Sequence, residues 1–147
     1  KRKKREKIPA KFAIAELFSS IQGESSYSGK FCFFIRIAGC NLKCDWCDSK
    51  YATRAKYWLT IDQILASALK SGAKIAEITG GEPLLNPHTS SLCEKLISKK
   101  FDVLIETNGS LDIEQIPKEN NPRLQMSIER RKRENALREF RENKGKR

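Results

Sequence analysis

Short apolar runs alternate with glycine-rich and polar stretches along the chain. Four of the runs are rich in branched and aromatic side chains, which is typical of buried β-strands, and they lie at Phe12–Phe18, Phe31–Ala38, Ile75–Thr79 and Val103–Thr107. Between the first two, Ser19–Lys30 is rich in serine and glycine, which predicts a loop.

The second run has two distinct faces. Because side chains alternate along a strand, one face carries Phe31, Phe33, Ile35 and Ile37, and the other carries Cys32, Phe34 and Arg36. A charged arginine in so apolar a strand needs a polar partner.

Two helices are predicted between the later strands. The first begins at Thr60, where Gln63 completes a capping box, and it ends at Gly72. Its apolar stripe consists of Ile61, Ile64, Leu65, Ala68 and Leu69. The second helix covers roughly His88–Lys99. Strands that alternate with helices in this way form parallel sheets with crossover connections, so the sequence predicts an α/β fold.

Polar and glycine-rich segments follow three of the predicted strands. They are Gly39–Asp48, Thr79–Pro83 and Glu106–Gly109. In barrels and open sheets of parallel strands, the carboxyl ends of the strands meet on one side and carry the chemistry. We therefore expect these three segments to form one site.

The charge of the chain is concentrated at its two ends. The 147 residues include 29 Lys and Arg against 18 Asp and Glu, which gives a net charge of +11. Residues 1–7 carry +5 and residues 118–147 carry +6, so residues 8–117 are neutral. Nucleic-acid binding by the core is therefore not expected. We predict a basic extension at 1–10, a core at 11–117 and a charged tail at 118–147, helical over Ser127–Asn143 or disordered.

The sequence also bears on location. No run of about 18 apolar residues is present, so no membrane span is expected. No apolar stretch follows the basic N-terminal residues as it would in a secretory signal. Three closely spaced cysteines in such a chain favour metal ligands in a reducing, cytoplasmic compartment over a disulfide framework.

Cys40, Cys44 and Cys47 form a C-x-x-x-C-x-x-C cluster. Thiolates bind iron–sulfur clusters, zinc or copper(I). Three cysteines would leave one iron of a cubane cluster open to an incoming ligand, whereas a structural zinc site needs a fourth protein ligand. Cys32, Cys93 or the single histidine, His88, would have to supply that ligand, and both of these cysteines are expected to be ordinary buried thiols.

The segment Gly39–Asp48 resembles the cluster loop of radical S-adenosylmethionine (SAM) enzymes, and Gly80–Pro83 and Glu106–Gly109 resemble two later segments of that family. The resemblance implies a partial, TIM-like βα barrel whose three cysteines hold a 4Fe-4S cluster. It implies that SAM binds the fourth iron and is cleaved to a 5′-deoxyadenosyl radical. The residues expected at SAM are Trp46, Asp48, Gly80, Gly81, Glu82, Thr107 and Asn108, with Glu82 accepting hydrogen bonds from the methionine ammonium.

Other features resemble one family of this group, the 7-carboxy-7-deazaguanine synthases. They are Phe18–Glu24, Gly29, Phe34–Arg36 and Asp48–Ala52, and the resemblance covers about residues 14–117. It implies rearrangement of 6-carboxytetrahydropterin to 7-carboxy-7-deazaguanine, with loss of ammonia, in queuosine biosynthesis. The residues expected at the pterin are Ile21, Gln22, Gly23, Glu24 and Thr79. Arg36 is expected at the pterin carboxylate, and Ser49 as a ligand of Mg²⁺.

The sequence departs from that family in two places. Ser25 follows Glu24 where the family has glycine. No further strand and no Asp-x-Lys segment is recognisable after Pro117, which predicts an incomplete barrel with an open edge. The resemblance also implies a reductant such as flavodoxin or ferredoxin, and the open edge favours a homodimer.

Three other functions fit parts of the sequence. An activating enzyme for a glycyl-radical protein would share the cysteine spacing, but it has no need of Gln22–Glu24 or Ser49. A small zinc module that binds RNA through Lys1–Lys7 would require a fourth ligand and an affinity that falls with salt. An inactive fragment is the third alternative.

Overall fold

The structure is a computed structural model that describes residues 9–45, 47–116 and 122–127. The strands in this part of the chain are β1 (Lys11–Ile21), β2 (Phe31–Ile37), β3 (Tyr57–Thr60), β4 (Ile75–Gly80), β5 (Asp102–Glu106) and β6 (Leu124–Ser127). The helices are α1 (Ile61–Ser71) and α2 (Thr89–Ser98), and short 3₁₀ turns lie at Lys50–Thr53 and Pro83–Leu85.

All of these strands belong to one sheet, in the order β3-β1-β2-β4-β5-β6. Strand β1 is antiparallel to both β2 and β3. Strands β2, β4, β5 and β6 run parallel to one another, which confirms the predicted crossover arrangement. Over the described residues the sheet does not close on itself. The fold is therefore a mixed α/β sheet of the partial-barrel type, as predicted.

Helix α1 begins and ends where the sequence predicted. Thr60 Oγ1 accepts a hydrogen bond from the Gln63 backbone N–H at 3.3 Å, and Gln63 Oε1 accepts one from the Thr60 N–H at 2.9 Å. Gly72 ends the helix in the left-handed region, with a φ of 74°. The predicted stripe is wrong at Leu69, which is 51% exposed. The buried face is narrower because the helix meets the sheet through Ile64, Leu65 and Ala68.

The two faces of the sheet have different roles. The helices cover one face and bury the main core, which includes Phe33, Ile35, Ile78, Leu92 and Val103. The other face carries a smaller cluster of Tyr27, Cys32, Phe34, Ile75 and Leu104. The predicted alternation in β2 is confirmed except at Phe31, which is 47% exposed because it lies at the start of the strand.

Three features of the sheet were not predicted. Strand β1 runs through Ile21, into the segment predicted as a loop, because Ser19, Ser20 and Ile21 pair with β2. The short edge strand β3 pairs with the start of β1. Strand β6 lies beyond Pro117, where no strand was expected, and Leu124 and Met126 pack against the main core.

Two predictions concern residues that the structure does not describe. The structure does not describe residues 1–8. It also does not describe the predicted helix at Ser127–Asn143, apart from Ser127 itself, which ends β6. None of the described helices is long and apolar enough to span a bilayer.

Candidate cofactor and substrate site

The segments after β2 and β4 approach each other closely, as predicted. The Gly81 N–H donates to Ile37 O at 3.0 Å, and the Glu82 N–H donates to Gly39 O at 2.8 Å. A Cβ atom at Gly81 would lie 1.9 Å from Gly39 O and 3.0 Å from Cys40 Cβ. Gly80 has a φ of 138°, which L side chains rarely adopt. Both glycines are therefore required for the β4 end to contact the cysteine loop.

The three clustered cysteines are free thiols, each partly buried, on the loop after β2. The Cys47 N–H donates to Cys44 O at 3.2 Å, and the Leu42 N–H lies 3.5 Å from Cys40 Sγ. Within the described residues, no three His, Cys, Asp or Glu side chains are grouped tightly enough to hold a metal ion. The structure thus brings the thiols to one loop without gathering them into a ligand set, and Trp46 between them lies outside the described residues.

The chemistry of this loop fits an iron–sulfur cluster better than zinc. Three soft donors on one partly buried loop suit a cluster with one open iron. The three candidates for a fourth zinc ligand lie elsewhere. Cys32 and Cys93 are fully buried in the two apolar clusters, and His88 is exposed just before α2. Burial raises the pKa of each of these two thiols to about 12. Both are ordinary buried thiols, as expected.

Glu82 connects the strand ends of β4 and β5. Its side chain is fully buried. Oε1 accepts from the Leu84 N–H at 2.9 Å and from Thr107 Oγ1 at 2.8 Å, and Oε2 accepts from the Asn108 N–H at 2.8 Å. The carboxylate thus fixes the two predicted SAM-binding segments to each other, a role that the sequence analysis did not foresee.

Asn108 extends from this junction toward the cysteine loop. Its Nδ2 donates to Asn41 Oδ1 at 3.2 Å and lies 3.9 Å from Cys40 Sγ. Asn41 Nδ2 in turn donates to Ser110 Oγ at 2.9 Å. The segments after β2, β4 and β5 therefore form one contiguous group, as the strand pattern predicted.

Arg36 lies on the polar side of β2 with a defined set of partners. Its Nε donates to Glu16 Oε1 at 2.7 Å, and its Nη1 lies 3.4 Å from Ser49 Oγ. The guanidinium carbon is 5.7 Å from the centre of the Tyr51 ring. Ser49 Oγ donates to Asp48 Oδ1 at 2.9 Å. Arg36 thus has the partner that its strand requires, and it links β1 to the end of the cysteine loop.

Glu16 was missed by the sequence analysis. It lies opposite Arg36 in the β1–β2 register and also accepts from the Tyr51 hydroxyl at 2.7 Å. Burial alone would raise the pKa of Glu16, but the hydrogen bonds from Tyr51 and Arg36 lower it below its ordinary value. The carboxylate therefore remains charged, and it holds Arg36 in place.

A second cluster of polar side chains lies on the same face of the sheet as Arg36. Gln22 Nε2 donates to Glu77 Oε2, and Gln22 Oε1 accepts from the Glu24 N–H at 3.1 Å. The Glu106 carboxyl on β5 lies beside Glu77, close enough for both its charge and a hydrogen bond to raise the pKa of Glu77. Thr79 Oγ1 donates to Glu106 Oε2 at 3.1 Å. Glu106 belongs to the segment Glu106–Gly109 that was expected at the site. Glu77 was not predicted there, although strand alternation already puts it on the same face as Thr79.

Glu77 is 3% exposed. Burial raises its pKa to about 8, and the Glu106 charge adds to the rise, while the Gln22 hydrogen bond opposes it. Two carboxyl groups can share a hydrogen bond only if one of them carries a proton. Because Glu77 is buried and Glu106 is only half-buried, Glu77 is the carboxyl whose protonated form burial favours more.

The remaining predicted pterin residues line the turn after β1. Ile21 is 58% exposed at the end of the strand, and Gly23 and Glu24 are exposed beyond it. Gln22 is the buried member of this segment, at 3% exposure. The structure therefore brings Gln22, Thr79 and Arg36 to one face of the sheet and leaves Ile21, Gly23 and Glu24 at its rim.

Comparison with known proteins adds three findings. A sequence model of the Radical SAM superfamily matches residues 34–147. The chain is 41% identical over 108 residues to the 7-carboxy-7-deazaguanine synthase of Koribacter versatilis, and 44% identical over 103 residues to that of Chlorobaculum tepidum. The crystal structure of QueE from Escherichia coli is similar with a TM-score of 0.65 and 26% identity, over 80% of this chain and 60% of that one.

The extent of these matches is uneven. The matched regions take up 72% and 70% of this chain but 48% and 47% of the two synthases. The chain therefore spans about half the length of the curated relatives it matches.

Proposed function

We propose that this chain, which belongs to the radical SAM superfamily, acts as a 7-carboxy-7-deazaguanine synthase. The reaction would rearrange 6-carboxytetrahydropterin to 7-carboxy-7-deazaguanine with release of ammonia, in queuosine biosynthesis. The observation that carries the proposal is the position of Arg36. This partly buried arginine on the polar side of β2 is held by Glu16 beside Ser49 at the end of the cysteine loop, where a carboxylated substrate would meet the cofactor.

Membership of the superfamily implies a 4Fe-4S cluster and SAM. We assign the cluster to Cys40, Cys44 and Cys47, whose thiolates are suited to iron. When bound, the cluster and SAM supply the reductive cleavage that starts the reaction.

SAM is assigned to the segments that meet at Glu82. Glycines 80 and 81 let the backbone come close to a ligand, and Asn108 reaches from this junction to the cysteine loop. Trp46, Asp48 and Thr107 complete the assignment. Glu82 already accepts three hydrogen bonds, so its main contribution is to position the backbone that binds SAM. We also assign to it a direct contact with the methionine ammonium of SAM.

The pterin is assigned to the polar face beside these segments. Arg36 has five N–H donors, and its contacts with Glu16 and Ser49 leave others to meet the substrate carboxylate. Gln22 and Thr79 offer fixed polar groups deeper on the same face, and Ile21, Gly23 and Glu24 would cover the ring from the rim. A few fixed polar groups beside a small apolar cluster, here the one that contains Phe34, are typical of small-molecule pockets.

Mg²⁺ is assigned to Ser49. Its hydroxyl and the neighbouring Asp48 carboxylate present two hard oxygen donors, which Mg²⁺ prefers. Bound beside Arg36, the ion would face the substrate and polarise it.

Three further assignments complete the proposal. The electron donor is a reductant such as flavodoxin or ferredoxin, and the assembly is a homodimer. Free thiols at the cluster loop favour a reducing compartment, so we assign the protein to the cytoplasm.

The experiment is anaerobic reconstitution of the 147-residue chain with iron and sulfide, followed by incubation with reductant, SAM and 6-carboxytetrahydropterin. We expect 7-carboxy-7-deazaguanine that depends on the pterin, and a lower rate when Mg²⁺ is removed by a chelator. Cleavage of SAM without any deazaguanine would leave the superfamily assignment in place and reject the synthase proposal. A variant with Arg123→Ala serves as control, because this arginine pairs with Asp102 away from the site.

A further inference from the structure

We infer that Glu77 is a positioning residue, a buried carboxyl on β4 that lies between Gln22 and Glu106 and fixes both side chains on the substrate face of the sheet. The inference rests on the proposed function for the identity of the substrate. It goes beyond that proposal because Glu77 itself need not touch the pterin.

The hydrogen bonds that start at Glu24 and pass through Gln22 and Glu77 run in one direction. The Glu24 N–H donates to Gln22 Oε1, and the Gln22 amide donates to Glu77. A neutral Glu77 then donates its own O–H to Glu106, which also accepts from Thr79. The donors all point toward Glu106, so one protonation state of Glu77 satisfies the whole chain of bonds.

The surroundings of Glu77 disfavour the charged form of its carboxyl. Glu106 on β5, and Arg36 and Cys32 on β2, are the charged or titratable groups that act on it electrostatically. Arg36 is held by Glu16, so its charge is largely compensated. With the carboxyl almost fully buried beside a second carboxylate, ionisation is unfavourable, and burial raises the pKa of Glu77 to about 8.

Loss of this proton would change the site. An ionised Glu77 has no donor for Glu106, and the two carboxylates would repel each other. Gln22 would keep an acceptor, but Glu106 would have to move, and Thr79 with it. The affinity for the pterin is therefore expected to fall as the pH rises through about 8.

The test compares three variants in the reconstituted protein. Glu77→Gln keeps an acceptor for Gln22 and a donor for Glu106 without a titrating group. Glu77→Leu removes both. Ile75→Val is the matched control, because Ile75 is buried on the same face of the same strand and makes no polar side-chain contact.

We expect Glu77→Leu to weaken pterin binding about tenfold, the effect of one lost buried hydrogen bond, with SAM cleavage unchanged. Glu77→Gln should bind as wild type does at pH 7 and lose the decline near pH 8. Two results would overturn the inference. One is equal loss of binding in Glu77→Gln and Glu77→Leu. The other is loss of SAM cleavage in Glu77→Leu but not in Ile75→Val, which would make Glu77 a general core residue.

Infrared spectroscopy gives a readout that does not depend on the substrate. A protonated carboxyl has a C=O stretch that is separate from that of carboxylates. We expect this band in the wild type at pH 7 and its absence in Glu77→Gln. If the wild type shows the band but binds no pterin, the synthase proposal fails and the bridging role of Glu77 stands. If the band is absent from the wild type, the inference is overturned.

Discussion

At the level of single residues, the polar face of the sheet depends on contacts between side chains that are far apart in the chain. Arg36 stood out because β2 is otherwise apolar, and a partner was expected for it. That partner, Glu16, is twenty residues away in the chain and is set by the β1–β2 register, which alternation alone does not specify. Glu77 escaped notice for the same reason, since its contact with Gln22 joins residues 55 positions apart.

Replacing Arg36 tests its assigned role. Arg36→Ala is expected to weaken 6-carboxytetrahydropterin binding by about tenfold or more, because a charge-assisted hydrogen bond to the carboxylate is lost. Arg36→Lys should recover only part of the affinity, since lysine lacks the planar fork. Calorimetry on the reconstituted protein measures both, with Arg123→Ala as control. Unchanged affinity in Arg36→Ala would remove this residue from the pocket.

Glu77 should also affect stability as a function of pH. Its pKa in the folded protein is about 8, against an ordinary value of 4.5. Between these pH values the folded chain holds a proton that the unfolded chain has released, so the free energy of unfolding falls as the pH rises through this window. Glu77→Gln should lack this decline. Urea unfolding of both proteins at pH 5 and pH 8 measures it, and parallel behaviour of the two would contradict the assignment of the proton to Glu77.

At the level of elements, local signals predicted helix α1 well. Its capping box and terminal glycine act within a few residues, so they are visible in the sequence. Strands β3 and β6 were missed because they are four residues each and owe their conformation to pairing with β1 and β5. The extension of β1 through Ser19 and Ser20 has the same origin, since serine is a weak strand former on its own.

A substitution at Gly81 tests the close contact between the end of β4 and the cysteine loop. In Gly81→Ala the new Cβ would collide with Gly39 O, and the cysteine loop would have to move away from the end of β4. We expect most of the bound iron to be lost after reconstitution. Gly72→Asn is the control, because asparagine tolerates the left-handed conformation at a helix end and nothing lies within 4 Å of the site of its Cβ. Normal iron content in Gly81→Ala would show that this close approach is dispensable.

At the level of the whole molecule, the parallel part of the sheet followed from the alternation of strands and helices. The same alternation also predicted that three strand ends would form one site. The chemistry of the site came from the cysteine spacing and from resemblance, because no fold by itself determines function. Neither the cysteine spacing nor the resemblance predicts the positions of the three sulfurs, because these positions depend on the bound group.

A substitution on β3, the strand at one edge of the sheet, tests the proposed dimer. Trp58 on this strand is 64% exposed, and tryptophan is enriched at protein–protein interfaces. Trp58→Lys is therefore expected to convert a dimer to a monomer, as measured by light scattering at matched concentrations. Leu69→Lys on the outer face of α1 is the control, since it changes an exposed apolar residue on a helix rather than at the sheet edge. A monomeric wild type would reject the dimer.

The most direct test of the central assignment is the iron content and 5′-deoxyadenosine yield of reconstituted Cys44→Ala, compared with wild type and with Cys93→Ala. The wild type and Cys93→Ala should each bind about four irons per chain, as a cubane cluster requires, and cleave SAM when reduced. Cys44→Ala should bind little iron and form no 5′-deoxyadenosine. Full iron content and wild-type cleavage in Cys44→Ala would contradict the assignment of the cluster to this loop.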